Sequence, residues 1–172
     1  VKVESHAAIG LCTWGALLIH QPSLLAALPG HGVAAWTTLA IPAVLFGSLL
    51  PDIDHPRSAI AHSLLLRPLG WGIRKFTHHR GIMHSLAMAL LPLVVGTALI
   101  NSYVGVALFW GYLTHLLADA LTVEGIPLFE PLWNRKLSIP LVAIRTGSAG
   151  EGIYLGAIVA AAVLYAIGPV TR

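Results

Sequence analysis

"SYVGVALFWGYLTHLLADAL", residues 102–121, is twenty residues long and holds one imidazole and one carboxylate. Its length matches the roughly 20 apolar residues that cross a bilayer core as a helix. Lipid offers no water to pair with the backbone, so such a segment is expected to be helical. On that helix His115 and Asp119 are four residues apart and share one face. The same spacing serves metal chelation. Its plain alternative is a histidine–aspartate hydrogen bond that ties helices together. Ionisable groups in so apolar a run point to function by default.

Four more apolar runs surround this one. They extend from about Ala7 to Leu28, Val33 to Leu50, Ser85 to Ile100 and Gly152 to Gly168. The first is the weakest, because His20, Gln21 and Pro22 interrupt it; it lacks the basic start and cleavage site of a signal peptide. The 172-residue chain is 56% hydrophobic and only 10% charged, against roughly 25% charged in soluble domains. Its mean hydropathy is +0.80. These features predict an all-α, polytopic membrane protein: a single domain, residues 1–172, with about five transmembrane helices. The net charge of +3 is spread over loops, which suits anionic lipid rather than nucleic acid. A lone Cys12 excludes an internal disulfide and a cysteine-rich zinc site.

Arginine and lysine gather in two loops. One, Asp52 to Met83, carries Arg57, Arg67, Arg74, Lys75 and Arg80; the other, Thr122 to Glu151, carries Arg135, Lys136 and Arg145. The positive-inside rule places both in the cytoplasm, with the N-terminus inside and the C-terminus outside. On that topology His6, Asp52, Asp54, His55, His79, His84, His115, Asp119 and Glu151 all fall at cytoplasmic helix ends. In "PDIDHP" (51–56) the prolines disfavour a helix, and an extended segment would point Asp52 and Asp54 to one side. In "HHRGIMHS" (78–85) His84 is expected in the first helical turn, with His79 and Arg80 in a loop. Ser85 is read as a local cap. Arg80 offers a fork suited to phosphate. Ser148 and Glu151 have the spacing of a capping box, and Glu151 is also an additional candidate ligand.

These motifs together carry a resemblance. His6, "LLPDIDHP" (49–56), "HRGIMHS" (79–85) and "GYLTHLLADALTVEGIPLFEPLW" (111–133) resemble the YdjM-like family of bacterial inner-membrane, membrane-bound metal-dependent hydrolases. The resemblance runs from His6 to about Glu151; the last span, 152–168, looks variable. It implies a multi-pass protein of a bacterial or archaeal cytoplasmic membrane with hydrolase activity, and it selects His79 over His78.

The expected metal ligands are His6, Asp52, Asp54, His55, His79, His84, His115 and Asp119. Imidazole plus carboxylate without thiolate fits zinc best, with manganese or iron as alternatives, and roughly one to three ions. Asp52 or Asp54 would act as general base, and Arg80 would offset charge on a phosphoryl oxygen. The expected substrate is a lipid or lipid-linked phosphoester at the cytoplasmic interface. A metal-ion transporter and a non-catalytic scaffold with a structural metal remain open as alternatives.

Overall fold

The computed structural model of the chain describes residues 1–21, 33–56, 58, 60, 63, 66–77, 80–139 and 145–168, with side chains omitted at 33–37 and 166. Among these residues the elements are α1 (Val3–His20), α2 (Val33–Leu49), a 3-10 turn (Leu50–Asp54), α3 (Arg67–Ile73), a second 3-10 turn (Ile82–His84), α4 (Leu86–Leu99), α5 (Ser102–Ala120) and α6 (Ala149–Ile167). There is no strand among them. Isolated antiparallel bridges, Ile126 to Leu137 and Phe129 to Trp133, fold the α5–α6 connection back on itself.

α2, α4, α5 and α6 follow the apolar runs closely, because their sequences are apolar on every face. α1 begins at Val3 and ends at His20, and residues 22–28 of the first expected run lie outside the described residues. Local chemistry sets the ends. Ser85 caps α4 by accepting from the Met88 N–H at 3.3 Å, and Asn101 caps α5 by accepting from the Val104 N–H at 2.9 Å.

α5 is the central element, packed on α1, α2 and α4, while α6 lies on α1. Small residues allow the closest approaches. A Cβ placed at Gly111 would lie 2.1 Å from the Val44 carbonyl oxygen, and one at Gly47 would lie 2.1 Å from that of Leu108. The α2–α5 contact is therefore backbone against backbone, a packing mode that suits helices with no hydrophobic drive to separate them from lipid. Trp14, Ala40, Val44 and Ala107 fill the core on one side of it. Tyr112, Leu116, Ala89 and Ile126 fill the core on the other.

The bundle is also apolar outside. On α4, Leu90, Leu91, Val94, Val95 and Leu99 are between 43% and 78% exposed. Ile41 and Phe46 on α2, and Ile153, Leu164 and Ile167 on α6, are exposed as well. Patches of this extent mark a partner or a membrane.

The expectation of five spanning helices is corrected at one point. Among the described residues, no helix is long and apolar enough to cross a membrane. α4 has 14 residues, which gives about 21 Å of rise against a hydrocarbon core of about 30 Å. α1 and α5 lose apolar length to polar residues, among them His6, His115 and Asp119.

Candidate metal centre

Each polar end is placed by a separate device. Residues 50–54 do not run extended as expected. Pro51 sits in the first turn of a 3-10 helix, where its fixed φ fits and its missing N–H costs nothing. At three residues per turn Asp52 and Asp54 point about 120° apart, so they do not flank one cation. His55 leaves the turn in extended conformation ahead of Pro56.

His84 lies in the second 3-10 turn rather than in α4. The Tyr112 hydroxyl donates to the Met83 carbonyl in that turn, and the Leu86 N–H donates to the Leu128 carbonyl at 2.9 Å. His6 is set by the start of α1. There Glu151 accepts from the Lys2 N–H at 2.5 Å and from the Ser5 hydroxyl at 2.9 Å with one oxygen. Its other oxygen accepts from the Gly147 N–H at 2.6 Å.

With these ends in place, His6, Asp52, His84, His115 and Asp119 converge. Two donor groups form, His6–His115–Asp119 and Asp52–His84–His115, with the donor atoms of each within 4.8 Å of one another. The His6 and His115 rings stack at 3.6 Å. His6 Nε2 lies 3.4 Å from Asp119 Oδ1, and His84 Nε2 lies 3.6 Å from Asp52 Oδ1. His115 Nε2 is 3.8 Å from both Asp52 Oδ1 and Asp119 Oδ2. These separations are long for hydrogen bonds. They suit ligands around a tetrahedral ion, since two donors about 2.1 Å from zinc lie about 3.4 Å apart.

The imidazoles are poised to give lone pairs. His115 Nδ1 donates to the Ser48 carbonyl at 2.7 Å. A carbonyl can only accept, so this bond fixes the tautomer and turns Nε2 toward the cluster as a lone pair. Neither His6 nitrogen, nor His115 Nε2, has a hydrogen-bond partner among the described residues. Buried polar atoms left in this state call for a cation or water. The donor set therefore fits a divalent metal.

Burial would raise the Asp52 carboxyl, but the nearby His84, His115 and His6 imidazoles outweigh it and hold it well below the ordinary range. Asp52 is thus anionic at neutral pH and ready as a ligand.

Arg80 is 7% exposed and sits at φ +58°, a left-handed conformation that costs a non-glycine residue about 1–2 kcal/mol. Such strain clusters at functional sites. Its guanidinium meets Asp119 Oδ2 at 3.3 Å, Glu124 Oε2 at 2.7 Å and the Thr122 hydroxyl at 3.3 Å. Lys2, Asp52, His55, Arg80, Asp119 and Glu124 line a cavity of about 570 Å³.

Other expected ligands stand apart from the two donor groups. Asp54 is buried but belongs to neither, and His55 lines the cavity without joining either. His79 lies outside the described residues. Glu151 likewise belongs to neither donor group, and its oxygens accept from three donors. The expected capping box also changes, because the carboxylate reaches back to Gly147, and the Ser148 side chain makes no cap bond. Ser48, Thr122 and Glu124 were not foreseen. Ser48 acts through its carbonyl, which leaves no trace in sequence, whereas Glu124 stands five residues after Asp119 with no spacing pattern to single it out.

Glu151 has a measurable consequence. Its carboxylate accepts from the Lys2 N–H, the Gly147 N–H and the Ser5 hydroxyl, so Glu151→Gln is expected to lower the unfolding midpoint at pH 7 by roughly 3–6 °C. Equal midpoints for both proteins at pH 7 would refute the tie.

The fold and the cluster define a class, all-helical proteins that gather imidazole and carboxylate donors where several helix ends meet. The chain belongs to the family described as YdjM inner membrane protein, whose family model matches residues 1–171. It is 36% identical over 112 residues to the inner membrane protein YdjM of Escherichia coli (strain K12), covering 58% of this chain and 53% of that protein. The Shigella flexneri protein of the same name matches equally. The uncharacterized protein YvsG of Bacillus subtilis (strain 168) is 32% identical over 120 residues, covering 69% and 72% of the two chains. The match spans about half the length of the two YdjM proteins. No solved structure matches the chain.

Proposed function

We propose that this chain is a membrane-bound, metal-dependent hydrolase acting on a phosphoester of a lipid or lipid-linked substrate. The observation that carries this reading is the adjacency of two features. Donor atoms spaced as metal ligands lie beside a buried, strained arginine, and Asp52, Arg80 and Asp119 share one 570 Å³ cavity. His6, His84, His115, Asp52 and Asp119 would hold the metal, with zinc the best fit to the donor set. When bound, the metal supplies Lewis acidity and a water acidified toward neutral pH.

The chain's own residues do the rest. Asp52 is 16% exposed at the cavity wall and accepts a proton from the attacking water as general base. Asp54 does not line the cavity, which favours Asp52 for that role. Arg80 Nη1 orients a phosphoryl oxygen and offsets the charge that develops on it. Asp119 holds Arg80 through Nη2 and keeps the guanidinium plane in register.

The apolar outer faces of α2, α4 and α6 support placing the bundle in the inner membrane, with the cluster at the cytoplasmic side. Short helices of this kind are accommodated by local thinning of the bilayer. Exposed Trp71 and Phe76 beside Arg74 and Lys75, with Lys75 Nζ 3.6 Å from the Trp71 ring, suit the headgroup layer. So do Leu132 and Trp133 beside Arg135 and Lys136.

The test is direct. Purified protein should carry a divalent metal and release phosphate or a phosphoalcohol from a lipid-phosphoester panel. Chelation should abolish turnover, and restored metal should recover it. Asp52→Asn should lower kcat about 100-fold or more. Bound metal with no turnover on any member of the panel would favour a structural metal site instead.

A further inference from the structure

Arg80 is already paired before any substrate arrives. Its Nη1 lies 2.7 Å from Glu124 Oε2, and the Glu124 side chain is 69% exposed. Arg80 itself is buried, and its Nε has no hydrogen-bond partner among the described residues. The guanidinium therefore retains donor capacity in a cavity that both residues line. Asp119 Oδ2 holds Nη2, and Nη1 has two partners, the buried Thr122 hydroxyl at 3.3 Å and Glu124. Of these, Glu124 is the solvent-exposed carboxylate, able to swing away from Nη1 without unpacking the core.

A second cavity supplies the destination. It measures about 290 Å³ and is lined by Thr122, Val123, Glu124, Arg145 and Thr146. Glu124 and Thr146 line both cavities, and Arg145 lines the second. A carboxylate leaving Arg80 would thus meet another arginine rather than lose its ion pair to water.

We propose that Glu124 is an internal competitor for the oxyanion that Arg80 binds, leaving toward Arg145 when a phosphate-type group enters. This deepens the hydrolase reading and rests on its assignment of Arg80 to the substrate phosphate. It adds a gate to that site. In the unliganded protein Glu124 neutralises Arg80 and excludes weak anions. A doubly charged phosphate monoester, which attracts the Arg80 cation more strongly than one carboxylate does, is the kind of ligand able to displace it from Nη1. A neutral ester or a single carboxylate is not. Glu124 is a specificity-determining residue here and takes no part in the chemistry.

Binding of inorganic phosphate measured by calorimetry on the full chain in detergent, with metal content determined on each sample, tests the gate. Exposed pairs are weak, so Glu124→Gln should bind phosphate about two- to tenfold more tightly than wild type. Arg80→Gln should bind it at least tenfold more weakly, and Arg145→Gln should show a smaller weakening. Unchanged or weaker binding by Glu124→Gln at wild-type metal content would overturn the proposal. So would a failure of every variant to bind phosphate. Repeating the titration after chelation separates the two readings. A Glu124→Gln gain that persists in protein carrying no metal would sustain the gate while removing the metal-dependent mechanism. Metal present with no gain would do the reverse.

Discussion

His115→Ala is expected to leave the protein essentially without metal, with affinity falling about 100-fold or more. His115 alone belongs to both donor groups. Removing an outer partner of a ligand already costs about 10–100-fold in affinity, and removing a ligand costs more. His6→Ala and His84→Ala each break one group and leave the other complete, so both should retain metal. Elemental analysis after dialysis against a weak chelator decides the matter, with circular dichroism to confirm the helices. Metal content unchanged in His115→Ala, or lost equally in all three variants, would remove the shared-ligand arrangement.

The second large effect is expected far from any ligand. Gly111→Ala should destabilise the bundle by roughly 3 kcal/mol, at the upper end of the usual cost of overpacking. Its new Cβ would lie 2.1 Å from the Val44 carbonyl oxygen and 2.7 Å from the Ser48 N–H nitrogen. Both are backbone atoms, so neither can yield without moving α2. Moving α2 carries the Ser48 carbonyl away from His115 Nδ1, and the tautomer is no longer held. The expected result is therefore double: a lower unfolding midpoint and weaker metal binding in the fraction that folds. Gly156→Ala is the control, since a Cβ there meets nothing within 4 Å. If Gly111→Ala matched that control in both measurements, the close α2–α5 contact would not be what holds His115.

The main helices were legible because composition alone reports an apolar helix. The run read as 33–50 is α2 at 33–49, and the run read as 102–121 is α5 at 102–120. The convergence of His6, Asp52, His84, His115 and Asp119 was legible for a related reason. Polar residues placed at helix ends on one side of a topology have few places to go. The connecting turns were less readable. Two prolines around Asp52 suggested extension, yet Pro51 serves as the opening of a 3-10 turn. Glu151 misled through a three-residue spacing to Ser148, whereas two of its three partners, Lys2 and Ser5, are 149 and 146 residues away. The hydrogen bond from His115 to a carbonyl has no side-chain signature at all.

That hydrogen bond also restricts how many ions the cluster can serve. With Nδ1 given to Ser48, His115 has one lone pair left, on Nε2, and one nitrogen lone pair binds one metal. The two donor groups therefore compete for the same electrons. One ion chooses between the neighbourhoods of Asp119 and Asp52, or a second is held without His115 and more loosely. Stoichiometry at this site becomes a question of vacancy and exchange, in which the carboxylates, each with two oxygens, are the groups able to hand an ion across.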